Sequence, residues 1–134
     1  MAQLTIITAL LVLVLAGCVT TTTGSQPLPG EPKEAAEYNM QLGIGYLRQN
    51  KPQLARKKLE TAIKLNPDLA TAHAALGVVF ERLEDPAGAE RHYKRAVDLE
   101  PQNPDNLNAL AVFTCQRKRE PREALQLFDR ALAI

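Results

Sequence analysis

The sequence predicts an all-α protein built from about three helix–turn–helix repeats, and three observations predict it. Small residues and prolines recur with a constant step, since 77−43, 89−55, 96−62 and 101−67 all give 34. Within each half of a copy, apolar residues lie three and four positions apart, as on one face of a helix. Each of the first two copies closes with a proline, which lacks a backbone donor and disfavours helix in the residue before it. The recurring residues are Gly43, Ala55, Ala62 and Pro67, then Gly77, Ala89, Ala96 and Pro101.

The small residues are expected where the two helices of one copy cross. A larger side chain at Gly43 or Gly77 in the first helix would hold the two backbones apart. The same reasoning gives the four recurring alanines a packing role in the second helix, and the two prolines end that helix.

This period, with these residue types at these positions, resembles the tetratricopeptide repeat. The resemblance implies a superhelix of stacked helical hairpins, with repeats at 33–67, 68–102 and 103–134. The third copy departs from the pattern, because 124−89 and 131−96 give 35, which predicts one inserted residue in the turn around Glu120 and Pro121. The sequence reaches Ile134 before a closing proline, so we expect a truncated array; the alternative is that this end packs on something else.

The first 17 residues are predicted to be a lipoprotein signal peptide. The apolar run from Leu4 to Leu15 is shorter than the about 20 residues of a membrane-spanning helix. The four residues that end at Cys18 resemble the lipobox of bacterial lipoproteins, which implies cleavage before Cys18 and lipidation of it. Val19 is not the aspartate of inner-membrane retention, so the resemblance implies the periplasmic face of the outer membrane. The alternative is an ordinary signal peptide or core helix that contains a cysteine.

Residues 18–32 are predicted to be the lipidated cysteine and a flexible tether. The segment is rich in threonine, proline and glycine and has no apolar periodicity. At roughly 3 Å per residue it would reach up to about 40 Å from the lipid.

Composition argues against catalysis and against nucleic acid. The net charge is +1, from 16 basic and 15 acidic residues, which gives no electrostatic attraction for nucleic acid. Ser25 is the only serine and lies in the tether, so the repeats have no serine nucleophile. His73 and His92 are interpreted as packed or surface histidines, and Cys115 has no disulfide partner when Cys18 is lipidated. We expect no enzyme activity, cofactor, metal or small-molecule substrate.

A peptide-binding groove is expected on the concave face, which the first helices of successive repeats line in tetratricopeptide arrays. Some arrays hold a peptide carboxylate there with lysine and asparagine, whereas this strip is mainly apolar and suits an amphipathic helix or an apolar peptide. The alternative is that these residues only pack helix against helix. The predicted groove residues are Met40, Ile44, Leu47, Ala74, Val78, Glu81, Asn108 and Val112.

The lipobox, the tether and the repeats together resemble the type IV pilus biogenesis and stability lipoproteins, the pilotins. The segments that carry the likeness are residues 38–47, 72–76, 78–80 and 108–115. The resemblance implies an outer-membrane lipoprotein that binds secretin subunits and helps them reach or assemble in the outer membrane. Two other classes stay open: an adaptor for a periplasmic protease or cell-wall enzyme, and a component of an outer-membrane protein insertion complex.

Overall fold

A computed structural model describes residues 31–134, and within this range the chain forms helices and no strand. Cys18, the signal peptide and nearly all of the tether lie outside the described residues. None of the described helices is long and apolar enough to cross a membrane. The predicted all-α array of three helical hairpins is confirmed. The helices are α1 (Pro32–Arg48), α2 (Pro52–Leu65), α3 (Ala70–Arg82), α4 (Pro86–Leu99), α5 (Pro104–Phe113) and α6 (Pro121–Leu132), with a π-helical turn (Thr114–Lys118) after α5.

The hairpins stack in chain order. Each hairpin pairs two consecutive helices, α2 then packs on α3, and α4 packs on α5. Helix α3 also contacts both α1 and α5, so the first helices of the three repeats lie side by side. This row of first helices forms one wall of the array.

The turns inside the hairpins follow a common scheme. Asn50, Glu84 and Arg119 follow the first helices and adopt left-handed φ angles of 54°, 59° and 57°. A proline then occupies the start of every second helix, where its missing N–H would be unpaired in any case. In the second repeat the side chain of Asp85 caps α4 by accepting a 2.9 Å hydrogen bond from the Gly88 backbone N–H.

The turns between repeats lie at the predicted prolines. Helices α2 and α4 end at Leu65 and Leu99, two residues before Pro67 and Pro101. Asn66, which precedes Pro67, is extended with φ −139° and ψ 97°, the conformation that a following proline favours.

Small residues lie where the two helices of a hairpin cross. A Cβ atom added to Gly43 would stand 2.5 Å from Leu59 Cγ, and one added to Gly77 would stand 2.5 Å from Tyr93 Cε1. Gly88 makes a similar close approach to the Phe80 ring, at 2.6 Å. The alanines at the predicted packing positions are fully buried: Ala55, Ala62, Ala89 and Ala96.

The extra residue of the third repeat lies before the place that the sequence predicted. It is taken up in the π-helical turn Thr114–Lys118, upstream of Glu120 and Pro121. A π-helical turn holds one additional residue within a continuing helix. The Glu120 N–H then returns to the Thr114 carbonyl at 3.3 Å, which closes this turn.

Lys118 ties the π-helical turn to its surroundings. Its Nζ lies 3.3 Å from Glu90 Oε1 on α4, 3.2 Å from Glu120 Oε2 and 3.6 Å from Glu123 Oε2 on α6. The hydrogen bond to Glu120 contributes most to raising the pKa of the Lys118 ammonium. One side chain thereby connects the second repeat to both ends of the last hairpin turn.

Candidate functional site

A pocket of about 320 Å³ opens on the wall that the first helices form. Its floor is apolar and consists mainly of small side chains, and one end is polar. The apolar lining residues are Ile44, Ala74, Ala75, Val78 and Ala109, with the Tyr93 ring behind them. The polar lining residues are Thr71, Asn103, Asp105 and Asn106. We call this feature the concave pocket.

The structure brings together three of the predicted groove residues, Ile44, Ala74 and Val78, in the concave pocket. Met40 is half-buried and packs against the hydrophobic core instead of lining this pocket. Leu47 is buried, and its carbonyl accepts a 2.6 Å hydrogen bond from Arg82 Nη1. Its side chain belongs to the hydrophobic core and does not line the pocket.

The other predicted groove residues lie apart from the concave pocket. Glu81 lines a neighbouring pocket of about 350 Å³ together with Phe113 and Arg117. Asn108 lines a hollow of about 390 Å³ against α6, and Val112 is exposed on α5. The predicted continuous strip is thus divided among separate surface features.

Tyr93 is the residue of this site that the sequence analysis missed. Its hydroxyl donates a 2.6 Å hydrogen bond to Glu81 Oε1, while Arg117 Nε lies 3.6 Å from Glu81 Oε2. Burial, and then the hydrogen bond to Glu81, raise the pKa of the Tyr93 phenol far above its usual range. The hydroxyl therefore stays a donor and fixes the ring behind the concave pocket. In the sequence, Tyr93 lies 34 residues after Leu59, and this spacing indicates only an apolar core position.

Two histidines, both predicted as packed or surface residues, pair between α3 and α4. His73 is buried, and its Nε2 lies 3.1 Å from the Pro67 carbonyl, which can only accept. When both imidazoles are neutral, His73 Nδ1 accepts a hydrogen bond from His92 Nδ1, 3.1 Å away. His92 also stacks on the Phe80 ring, with centroids 5.2 Å apart.

The surroundings of the pair oppose protonation. Burial lowers the pKa of His73, and this effect outweighs the hydrogen bond to Pro67, which acts to raise the pKa. Burial, then the neighbouring His73 and the positive charge of Arg91, lower the pKa of His92 from 6.5 to about 4. No group of three or more potential metal-ligating side chains occurs in residues 31–134.

A second apolar hollow lies on the outer face of α1. It measures about 290 Å³, and Tyr38, one of its lining residues, is 55% exposed. The other lining residues are Gln41, Leu42, Gly45, Tyr46 and Gln49. A Cβ atom at Gly45 would meet nothing within 4 Å, in contrast to the closely packed glycines of the hairpins. The sequence distinguishes Gly45 from the packing glycines, because the residue 34 positions later is Val79 and this glycine therefore does not recur with the repeat.

Comparison with known proteins agrees with this architecture. The sequence profile of the tetratricopeptide repeat matches residues 40–104. The chain is a tetratricopeptide-repeat protein. Members of this class are typically scaffolds for protein interaction. The repeat protein is 37% identical over 113 residues to the type IV pilus assembly protein PilF of Pseudomonas aeruginosa, an alignment that covers 82% of this chain and 44% of that relative.

Two solved structures show the same fold with related sequences. The structure described as a functional characterisation of Pseudomonas aeruginosa pilF superposes with a TM-score of 0.71 at 34% identity, covering 76% of the repeat protein and 46% of that chain. PilW, described as a widely conserved type IV pilus biogenesis factor, gives a TM-score of 0.70 at 26% identity, covering 73% and 44%. The repeat protein spans about half the length of the relatives that it matches.

Proposed function

We propose that this repeat protein is a protein-binding scaffold of type IV pilus assembly that binds a secretin subunit and supports its assembly in the outer membrane. The relation to a pilus assembly protein over 82% of the chain supports the pathway. The concave pocket supports the mode of action, and it is the observation that carries the proposal. The scaffold has no enzymatic role and uses no cofactor, nucleic acid or small-molecule substrate.

The anchor forms a second part of the proposal. Lipid on Cys18 holds the protein at the periplasmic face of the outer membrane, and the tether separates the repeats from the bilayer. The lipobox-like residues before Cys18 support this part. A Cys18→Ala variant should lose the lipid mass and leave the outer-membrane fraction. An unchanged distribution would contradict the anchor without bearing on the pocket.

The concave pocket favours an apolar partner segment. Ile44, Ala74 and Val78 come from two different repeats, so a partner seated there contacts both at once. Each large apolar side chain that leaves water contributes roughly 1.5–3 kcal/mol, so two anchors would give appreciable affinity before the costs of association.

The pocket is tested by a charged side chain placed on its floor. Ala74→Glu puts a carboxylate among apolar groups, whereas Ala87→Glu makes the same change at an exposed position of α4. In capture experiments with purified secretin, Ala74→Glu should reduce capture at least about tenfold. Ala87→Glu should leave it unchanged, and circular dichroism should show both variants folded. Full capture by Ala74→Glu would exclude the concave pocket as the docking site.

The pathway is tested in cells. Deletion of the gene should remove secretin multimers from the outer membrane, and the wild-type gene should restore them. Intact multimers in the deletion strain would contradict the secretin role and favour the adaptor or insertion-complex functions.

A further inference from the structure

We infer that the concave pocket selects a helical partner segment whose apolar stripe is flanked by lysine or arginine. This inference rests on the proposed function and adds the chemistry of the occupant. Asp105 is the only charged residue that lines the pocket. It is exposed, and among residues 31–134 no cation lies within ion-pair distance of its carboxylate.

A second carboxylate extends this edge. Glu37, Thr71 and Asp105 occupy equivalent positions in the three first helices, because 71−37 and 105−71 both give 34. Thr71 and Asp105 line the pocket, and Glu37, which is not itself a lining residue, has the corresponding position on the neighbouring helix α1. Glu37 is also exposed and, within the described chain, has no cationic partner.

The helix dipole does not account for both carboxylates. Asp105 lies in the first turn of α5, where a negative charge stabilises a helix. Glu37 lies beyond the first turn of α1, where that effect has faded. An unpaired acidic edge beside an apolar floor is therefore complementary to a basic residue on the partner.

The basic residues of this wall do not neutralise the edge. Arg82 donates to the Leu47 carbonyl at 2.6 Å, and Arg117 lies against Glu81 at 3.6 Å. Lys33 lies one helical turn before Glu37 on α1 but forms no ion pair with it. Arg48 lies in the last turn of α1, at the other end of that helix from the acidic edge. An acidic partner segment would meet repulsion at the Asp105 end of the pocket.

The floor favours a helix over an extended peptide. Ala74, Ala75 and Ala109 present only methyl groups, which lets a helix backbone approach closely. The backbone groups of α3 and α5 are already paired inside their helices, so an extended segment would bring unpaired N–H and C=O groups to an apolar surface. A helical segment satisfies its own backbone groups.

The test uses two synthetic helical peptides with the same leucine and alanine face, flanked either by lysines or by glutamates. Each is labelled and titrated with the full mature protein, and fluorescence anisotropy gives the affinity. The lysine peptide should bind about two- to five-fold more tightly for each ion pair formed, and added salt should reduce the difference. Equal affinities, tighter binding of the glutamate peptide, or binding of neither peptide would overturn the inference.

Variants connect the preference to the acidic edge. Asp105→Asn combined with Glu37→Gln should abolish the preference for lysine, whereas Asp98→Asn removes an exposed carboxylate of α4 and should retain it. Persistence of the preference in the double variant would overturn the inference. Ala74→Glu should weaken both peptides; if it weakens neither, the pocket itself is refuted. Absence of the preference in the wild-type protein, with secretin capture intact, refutes only the chemistry inferred here.

Discussion

Replacement of glycine by alanine is predicted to have opposite effects on stability at Gly77, which is closely packed, and at Gly45, which is not. Both glycines lie inside helices, where replacement by alanine adds helix propensity of about 1 kcal/mol. A methyl group at Gly45 enters open space, so the full gain should appear. A methyl group at Gly77 would stand 2.5–2.7 Å from three atoms of the Tyr93 ring. The same substitution should therefore stabilise the protein at one position and destabilise it at the other.

The magnitude at Gly77 depends on how freely the Tyr93 ring can move away. Its hydroxyl is held by Glu81 at 2.6 Å, its other neighbours include Phe113 with ring centroids 5.5 Å apart, and only 3% of the residue is exposed. Overpacking at such a site costs typically 1–3 kcal/mol, and the held ring favours the upper end. After the gain in propensity, Gly77→Ala should lose about 2 kcal/mol, and Gly45→Ala should gain about 0.5–1 kcal/mol.

Urea unfolding followed by far-UV circular dichroism measures both free energies. The expected gap of about 3 kcal/mol corresponds to melting temperatures more than about 10 °C apart for a domain of this size. Gly43→Ala provides an intermediate case, because Leu59 is buried but more flexible than a tyrosine ring. A Gly77→Ala protein as stable as the wild type would refute the argument that this crossing requires a missing side chain.

Three further predictions concern stability. The pKa values of His73 and His92 lie below the unfolded value of 6.5, with that of His92 at about 4, so the unfolded chain takes up protons first as the pH falls. The free energy of unfolding should be highest above about pH 7 and should fall by about 1–2 kcal/mol between pH 6.5 and pH 4, allowing for solvent contact. Urea unfolding midpoints measured across this range test the prediction. The His92→Gln variant is the control, and its midpoint should depend less on pH. Tyr93→Phe removes the donor to Glu81 and should cost about 1.5 kcal/mol in urea unfolding, and an unchanged midpoint would show that water replaces the hydroxyl. Glu84→Gly relieves a left-handed φ of 59° and should raise the thermal midpoint by a few degrees, whereas a lower midpoint would mean that the glutamate side chain contributes more than the strain.

Much of the fold could be predicted because the main packing contacts join residues that are close in sequence and recur in each repeat. Gly43 and Gly77 contact residues 16 positions further along the chain, since 59−43 and 93−77 both give 16, and the contact recurs with the period. Periodicity therefore indicates which residues face each other within a hairpin. It also indicates where each hairpin ends, because Pro67 and Pro101 act on their immediate neighbours.

The site was harder to predict because it depends on how consecutive repeats are set against each other. Ile44 and Val78 meet in one pocket, whereas Met40 packs inward although its position repeats as Ala74. Which position on a helix face opens to solvent depends on the size of the neighbouring side chains, and periodicity does not report size. The hydrogen bond from Tyr93 likewise joins a core position to a surface position, and no spacing rule connects the two.

The π-helical turn Thr114–Lys118 has a consequence for how such arrays change in length. One residue added to an ordinary α-helix rotates everything beyond it by about 100°, which would turn the inner face of the last hairpin towards solvent. Here the rotation is absorbed within a single turn, and Ala124 remains fully packed against its hairpin partner. The sequence profile of the repeat matches only as far as residue 104, just where this irregular copy begins, although the stacked hairpins continue beyond it. The same helix faces can thus stay packed against each other even where the 34-residue spacing along the chain is broken.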